Sequence, residues 1–148
     1  MFSLYIDVSR KVFEGMPVWP GDPEVKVRRH LTVADDGCSV SEVSMGTHTG
    51  THMDFPAHLM EVSSVPQINS MVGPCTVIGL ADLKRTLREG GPLAERVLVK
   101  EGCPSFSDAY SLVELGVKLV GVENLSIDEE PSMEVHRLLL GAGVVILE

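Results

Sequence analysis

Aromatic side chains are scarce in this sequence: four Phe, two Tyr and one Trp, or 5% of 148 residues. A core built from it must therefore rest on Val, Leu, Ile and Met, for which a hydrophobic fraction of 44% is ample. Positive charge is also short, with 12 Lys+Arg against 21 Asp+Glu and a net charge of −9. That balance argues against a nucleic-acid binder and gives no attraction to an anionic membrane surface. Cysteine is limited to Cys38, Cys75 and Cys103, widely spaced and without a Cys-x-x-Cys pair. This excludes a disulfide framework and a thiolate zinc site, and reads as free thiols in a reducing cytoplasm. No long hydrophobic run is present: the stretch Leu138 to Leu147 is broken by Gly141 and Gly143 and is far too short to span a bilayer. The start, MFSLYIDVSR, lacks the basic and apolar regions of a secretory signal, so a cytoplasmic location is expected. Repeats and low-complexity segments are missing, and the length fits one domain over residues 1–148.

What is there divides into two styles of pattern. The first half reads as β-rich, with strands expected at Leu4–Val8, Val25–Val33 and Ser39–Gly46. Val40 and Val43 are out of phase in the third, which suggests a bulge there. Between the first two strands, Pro17, Pro20, Gly21 and Pro23 impose a turn or extended loop. The second half alternates strand and helix. Strands are expected at Cys75–Leu80, Arg96–Lys100, Lys118–Val122 and Val144–Leu147. A helix over Ala81–Glu89 should stop at Gly90-Gly91. A second, capped by Ser107 or Asp108, should run to Leu115 before Gly116, and a third, capped by Ser132, should end near Gly141. Such alternation implies an α/β fold with parallel strand pairing.

One segment concentrates the chemistry: His48-Thr49-Gly50-Thr51-His52-Met53-Asp54-Phe55-Pro56-Ala57-His58, which holds three of the five histidines. A helix would align His48 with His52 but turn Asp54 away, and Pro56 would break it. A straight strand puts all four on one face but separates His48 from His52 by roughly 13 Å, too far to share an ion. The segment therefore needs a bend, and Gly50 supplies a permissive backbone for it. Imidazole and carboxylate together suit zinc, and also manganese, in a catalytic site with open positions. Two histidines four apart are more often just solvent-facing loop residues; the added Asp54, His58 and Gly50 turn the balance toward a metal site.

The pattern His48-x-Gly50-Thr51-His52-x-Asp54-x-Pro56-x-His58 resembles the signature of the cyclase-like metal-dependent hydrolases, a family that includes bacterial kynurenine formamidases (arylformamidases). The resemblance reaches over nearly the whole chain, taking in Ile6-Asp7, the Pro20-Gly21-Asp22-Pro23 loop, His136 and Glu148. It implies a swivelling β/β/α domain, a mixed sheet, and a homodimer or larger assembly. It also implies that His48, His52 and Asp54 hold one metal, and that Asp54, His136 and Glu148 hold a second, with His58 as catalytic acid/base. Relatives carry a longer stretch where this chain has Lys100 to Ser107, and they continue through further strands past the position of Glu148.

Several other positions draw attention. His136 falls in the first turn of the third helix, beside the apolar Val135, Leu138 and Leu139, a place where histidine is usually only packed. Its ligand reading gains from Glu148 lying at the carboxyl end of a strand, where open α/β sheets place ligands. Without further sequence to hold it, Glu148 is expected to be the more weakly anchored ligand. Trp19 is either a plug over a core or, as the resemblance implies, an aromatic wall for a substrate ring. Ser126 and Asp128 match a Ser-x-Asp element of the family, without an assignable role, and His30 is expected to be exposed.

The chemistry implied is hydrolysis of an amide-type carbonyl by metal-activated water, with His58 passing a proton to the leaving amine. N-Formyl-L-kynurenine would then give L-kynurenine and formate, a step of tryptophan degradation. The competing readings are a cyclic amide such as isatin, a lactone, or a non-catalytic metal- or small-molecule-binding module of the same fold.

Overall fold

The computed structural model of the chain describes residues 6–62, 68–128 and 131–148. The described chain divides into two compact units, Met1–His52 and Met53–Glu148.

The first unit is built on an antiparallel ribbon of β1 (Lys26–Leu31) and β2 (Val40–Ser44). Val27 faces Val43 across it, and nearly every residue of both strands is exposed. The expected strand Val25–Val33 ends early because Thr32 caps a short helix, α1 (Val33–Asp36), accepting from the Asp35 N–H at 3.2 Å. The register irregularity falls at His30 in β1, between Arg29 and Leu31, and not in β2 as the valine phasing suggested. His30 is exposed, as expected. Of the expected strand Leu4–Val8, Leu4 and Tyr5 lie outside the described residues, and residues 6–8 form no regular element. In the proline-rich loop, Asp22 N–H donates to the Trp19 carbonyl at 2.9 Å, with Gly21 at φ +99°. That is the positive φ a type II turn demands after Pro20.

The second unit is a mixed α/β layer structure. Its five-stranded sheet has the order β3 (Met53–Asp54), β7 (Val145–Leu147), β6 (Leu119–Val122), β5 (Arg96–Lys100), β4 (Thr76–Gly79). The last four pair in parallel, as the strand–helix alternation requires, whereas β3 runs antiparallel to β7 with Asp54 opposite Ile146. Between them run α2 (Ile68–Met71), α3 (Leu80–Glu89), α4 (Phe106–Glu114) and α5 (Glu134–Gly141). Val97, Val99, Val120 and Ile146 from the sheet pack with Leu83, Ala109, Leu112, Leu139 and Leu140 from the helices, all essentially fully buried. Strands buried on both faces read as continuous apolar runs, and that is how β5, β6 and β7 are written. β6 passes so close to its neighbours that a Cβ at Gly121 would lie 2.6 Å from Leu98 Cδ2 and 3.2 Å from Leu147 Cβ, so a larger residue there would have to displace both leucines.

Two helix starts differ from expectation. α4 is capped by Ser105, whose hydroxyl accepts from Asp108 N–H while the Asp108 carboxylate accepts from Ser105 N–H. This reciprocal box begins the helix earlier than Ser107 or Asp108 would. α5 is preceded by Met133 at φ +52° with no side-chain cap, so Ser132 does not serve; its first N–H groups are taken up by Asp128.

Candidate metal centre

The signature straddles the two units: His48 and His52 belong to the first, Asp54 and His58 to the second.

In the first unit the chain bends at Gly50, φ +69°, as the spacing argument required. A Cβ there would meet Val12 Cγ2 at 3.3 Å and Met16 Cε at 3.4 Å, so the turn combines a left-handed backbone with a close approach. Thr51 Oγ1 accepts from Arg10 N–H at 3.0 Å and ties the turn to the preceding segment. The bend brings His48 Nδ1 to 2.9 Å from His52 Nε2, with the rings edge-on and their centroids 4.7 Å apart. His52 Nδ1 lies 2.9 Å from the Gly50 carbonyl, which can only accept. That contact places the His52 proton on Nδ1 and leaves Nε2 with its lone pair toward His48.

In the second unit the donors gather at the carboxyl ends of the parallel strands. Asp54 comes from β3 and is buried; Glu148 follows β7 directly; His136 is 1% exposed in the first turn of α5. His136 Nε2 is 3.3 Å from Asp54 Oδ2 and 3.3 Å from Glu148 Oε1. Its Nδ1 is 2.6 Å from Asp128 Oδ2. Glu148 is not loosely held, contrary to the expectation for a terminal residue. Its side chain is 4% exposed, and Oε1 accepts the Ile127 N–H at 2.6 Å. His58 ends a short 3-10 turn that Pro56 initiates; it is exposed, with its ring centroid 5.7 Å from that of His136.

The charge balance of this second group decides what it can hold. Burial alone would push the His136 imidazolium down, but the hydrogen-bonding carboxylates of Asp54, Glu148 and Asp128 outweigh it and hold the ring up at about 10. Even so, three carboxylates surround one imidazolium, leaving the group anionic in a buried setting. Buried charge of one sign requires compensation, and a divalent cation supplies it compactly. The 3.3 Å separations also match the edge of about 3.4 Å that N and O ligands make around a tetrahedral zinc. With imidazole and carboxylate donors and no sulfur, the residues present fit a catalytic divalent ion.

Trp19 is 46% exposed, which does not suit a plug in a core. Ser126 Oγ accepts from Asp128 N–H at 3.3 Å. Asp128 is the residue of the Ser-x-Asp element that the sequence left without a role. It contacts His136 from eight positions upstream, a spacing that signals nothing by itself. The three cysteines carry free thiols, and no helix among the described residues is long and apolar enough to cross a membrane.

The mixed α/β core thus presents histidine and carboxylate donors of a kind that can hold a divalent ion. The chain belongs to the Cyclase family, whose sequence pattern matches residues 6–102. It is 30% identical to the kynurenine formamidase of Geobacillus thermodenitrificans over 100% of this chain and 82% of that protein. A structure described as a predicted metal-dependent hydrolase from Bacillus stearothermophilus superposes with a TM-score of 0.77 at 25% identity, covering 97% of this chain and 80% of that one. Isatin hydrolase A from Labrenzia aggregata shares the fold, with a TM-score of 0.78 at 20% identity over 96% of this chain and 78% of its own.

Proposed function

We propose that the chain is a metal-dependent arylformamidase that hydrolyses N-formyl-L-kynurenine to L-kynurenine and formate. The observation that carries this reading is similarity over the whole of this chain to a kynurenine formamidase at 30% identity, with the signature from His48 to His58 complete. The proposed ligands of one ion are His48, His52 and Asp54, and of a second Asp54, His136 and Glu148. Support comes from the 2.9 Å approach of the His48 and His52 nitrogens in the first unit and the convergence on His136 in the second. Only Met53 separates His52 from Asp54, so their Cα atoms lie within about 7 Å of one another. Zinc is the proposed metal, with manganese compatible with the same donors.

When bound, a divalent ion supplies Lewis acidity, polarising the carbonyl and lowering the pKa of water. The chain's own residues do the rest. His58, exposed and beside His136, delivers a proton to the nitrogen of the leaving aryl amine, without which a poor leaving group would stall the reaction. Asp54 and Glu148 fix the anionic side of the site, and the exposed indole of Trp19 offers a face for the substrate ring. A cytoplasmic homodimer or larger assembly is part of the same proposal. The ribbon supports it: two strands alone are marginally stable, and Val27 and Val43 are 44% and 55% exposed, a surface a second copy would cover.

The test is turnover of N-formyl-L-kynurenine, isatin and a simple lactone by one zinc-loaded preparation, followed by formate and amine release. Preference for the formamide supports the proposal. Preference for isatin would move the substrate to the cyclic amides, and no turnover of any of them would leave a binding module.

A further inference from the structure

The geometry points to the Ile127–Asp128 dipeptide as a bracket that holds both His136 and Glu148 in ligating orientation, which makes Asp128 a positioning residue for the second metal. The inference rests on the reading above in which His136 and Glu148 are ligands. The Ile127 side chain is 1% exposed and belongs to the hydrophobic core. That anchor fixes the backbone of the loop after β6, and the Ile127 N–H then donates to Glu148 Oε1 at 2.6 Å. The next residue acts through its side chain. Asp128 Oδ1 accepts from Val135 N–H at 3.1 Å, and Oδ2 accepts both the His136 backbone N–H at 2.9 Å and the His136 ring Nδ1–H at 2.6 Å. One carboxylate thus replaces the missing local cap of α5 and sets the rotation of the imidazole.

The consequence is directional. With Nδ1–H committed to Asp128, Nε2 is the nitrogen turned toward Asp54 and Glu148, each 3.3 Å away. Ser126 completes the device, its hydroxyl accepting the Asp128 N–H at 3.3 Å, which gives the Ser-x-Asp element a physical reason. Because Ile127 and Asp128 are adjacent, a displacement of this loop moves both ligands together. The second site is therefore organised by two residues that never touch the ion. Such outer hydrogen bonds to a ligating histidine are worth about 10–100-fold in metal affinity.

Zinc titration of the stripped full-length chain against a chromophoric chelator tests this. Asp128→Asn should weaken by about 10–100-fold the same step that Glu148→Gln weakens, while the step lost in His52→Ala shifts by less than about twofold. A second measurement reads orientation without metal uptake: the His136 ring Nδ1–H resonance in ¹⁵N-labelled protein. In the wild type it should be downfield and slow to exchange, with or without zinc. It should move upfield in Asp128→Asn, where a neutral amide oxygen replaces the carboxylate, and disappear in Asp128→Ala. A variant that loses thermal stability while both zinc steps and this resonance persist would make Asp128 a helix cap only, overturning the bracket. If the wild type takes up a single ion, the two-metal reading fails on its own. The bracket is still decided by the resonance: its loss in Asp128→Ala upholds it, and its absence from the wild type overturns it.

Discussion

The two halves of the signature are built by opposite means. The His48/His52 half is local: one left-handed glycine closes a five-residue turn, within a unit whose ribbon is exposed and whose buried residues include only Met16, Val25 and Thr49 among those described. The Asp54 half is long-range, drawing on residues 54, 128, 136 and 148, which meet only because β3 pairs with β7 and α5 packs on the sheet. The local half offers nitrogens, which need no counter-charge. The long-range half offers buried carboxylates, which do. Nitrogen donors can sit on a half-buried turn. Anionic ones held out of water need a cohesive core to force them together, and a cation to repay the desolvation.

Four experiments would break or sharpen this contrast, starting with the largest effect. His58→Ala should retain metal yet lose on the order of 10²–10⁴ in kcat, the range for removal of an acid/base. Loss of metal in parallel would make His58 a ligand. Next, His52→Ala and Glu148→Gln should each weaken a different zinc step, by on the order of 10² or more, beyond the 10–100-fold of an outer hydrogen bond. If both variants weaken the same step, the halves form one mononuclear site and the contrast collapses. Third comes pH. The metal-free His136 is held protonated up to about 10, so an ion entering the carboxylate half must displace a proton. Uptake at that step should strengthen about tenfold per pH unit between neutrality and about 10, then level off, with about one proton released per ion in calorimetry across buffers of different ionisation enthalpy. A flat profile would show that the carboxylates do not hold the ring charged. The smallest effect concerns Trp19→Ala, which should raise KM for aryl formamides by about tenfold, near the worth of one aromatic contact, and leave an aliphatic formamide almost unchanged. Equal effects on both would remove Trp19 from the substrate wall.

Much of this was legible in the chain itself, and the exceptions have a common cause. Strands β4 to β7 and helix α3 fall within a residue or two of their expected bounds, because apolar runs and the αL glycine at Gly90 are local signals. The bend at Gly50 was legible because a helix would align His48 with His52 but lose Asp54 and break at Pro56, while a strand would hold the two histidines apart. Errors gathered where a local signal had a competitor. Ser105 outcompetes Ser107 because only it can trade hydrogen bonds with Asp108. Ser132 looked like a cap but yields to Asp128, which arrives from the end of another strand's loop. Glu148 looked unsupported, since nothing along the chain reveals the Ile127 N–H that holds it.

What the sequence determined by itself was the donor inventory, the family signature and the turn, all carried by residues within reach of each other along the backbone. What only the tertiary structure decided was the company His136 keeps: Asp54, Asp128 and Glu148 converge on it through strand pairing and core packing. The reason is that side chains eight, twelve or eighty residues apart have no preferred distance until a sheet register fixes one. Here that register sets Asp54 opposite Ile146, two residues from the chain's last carboxylate.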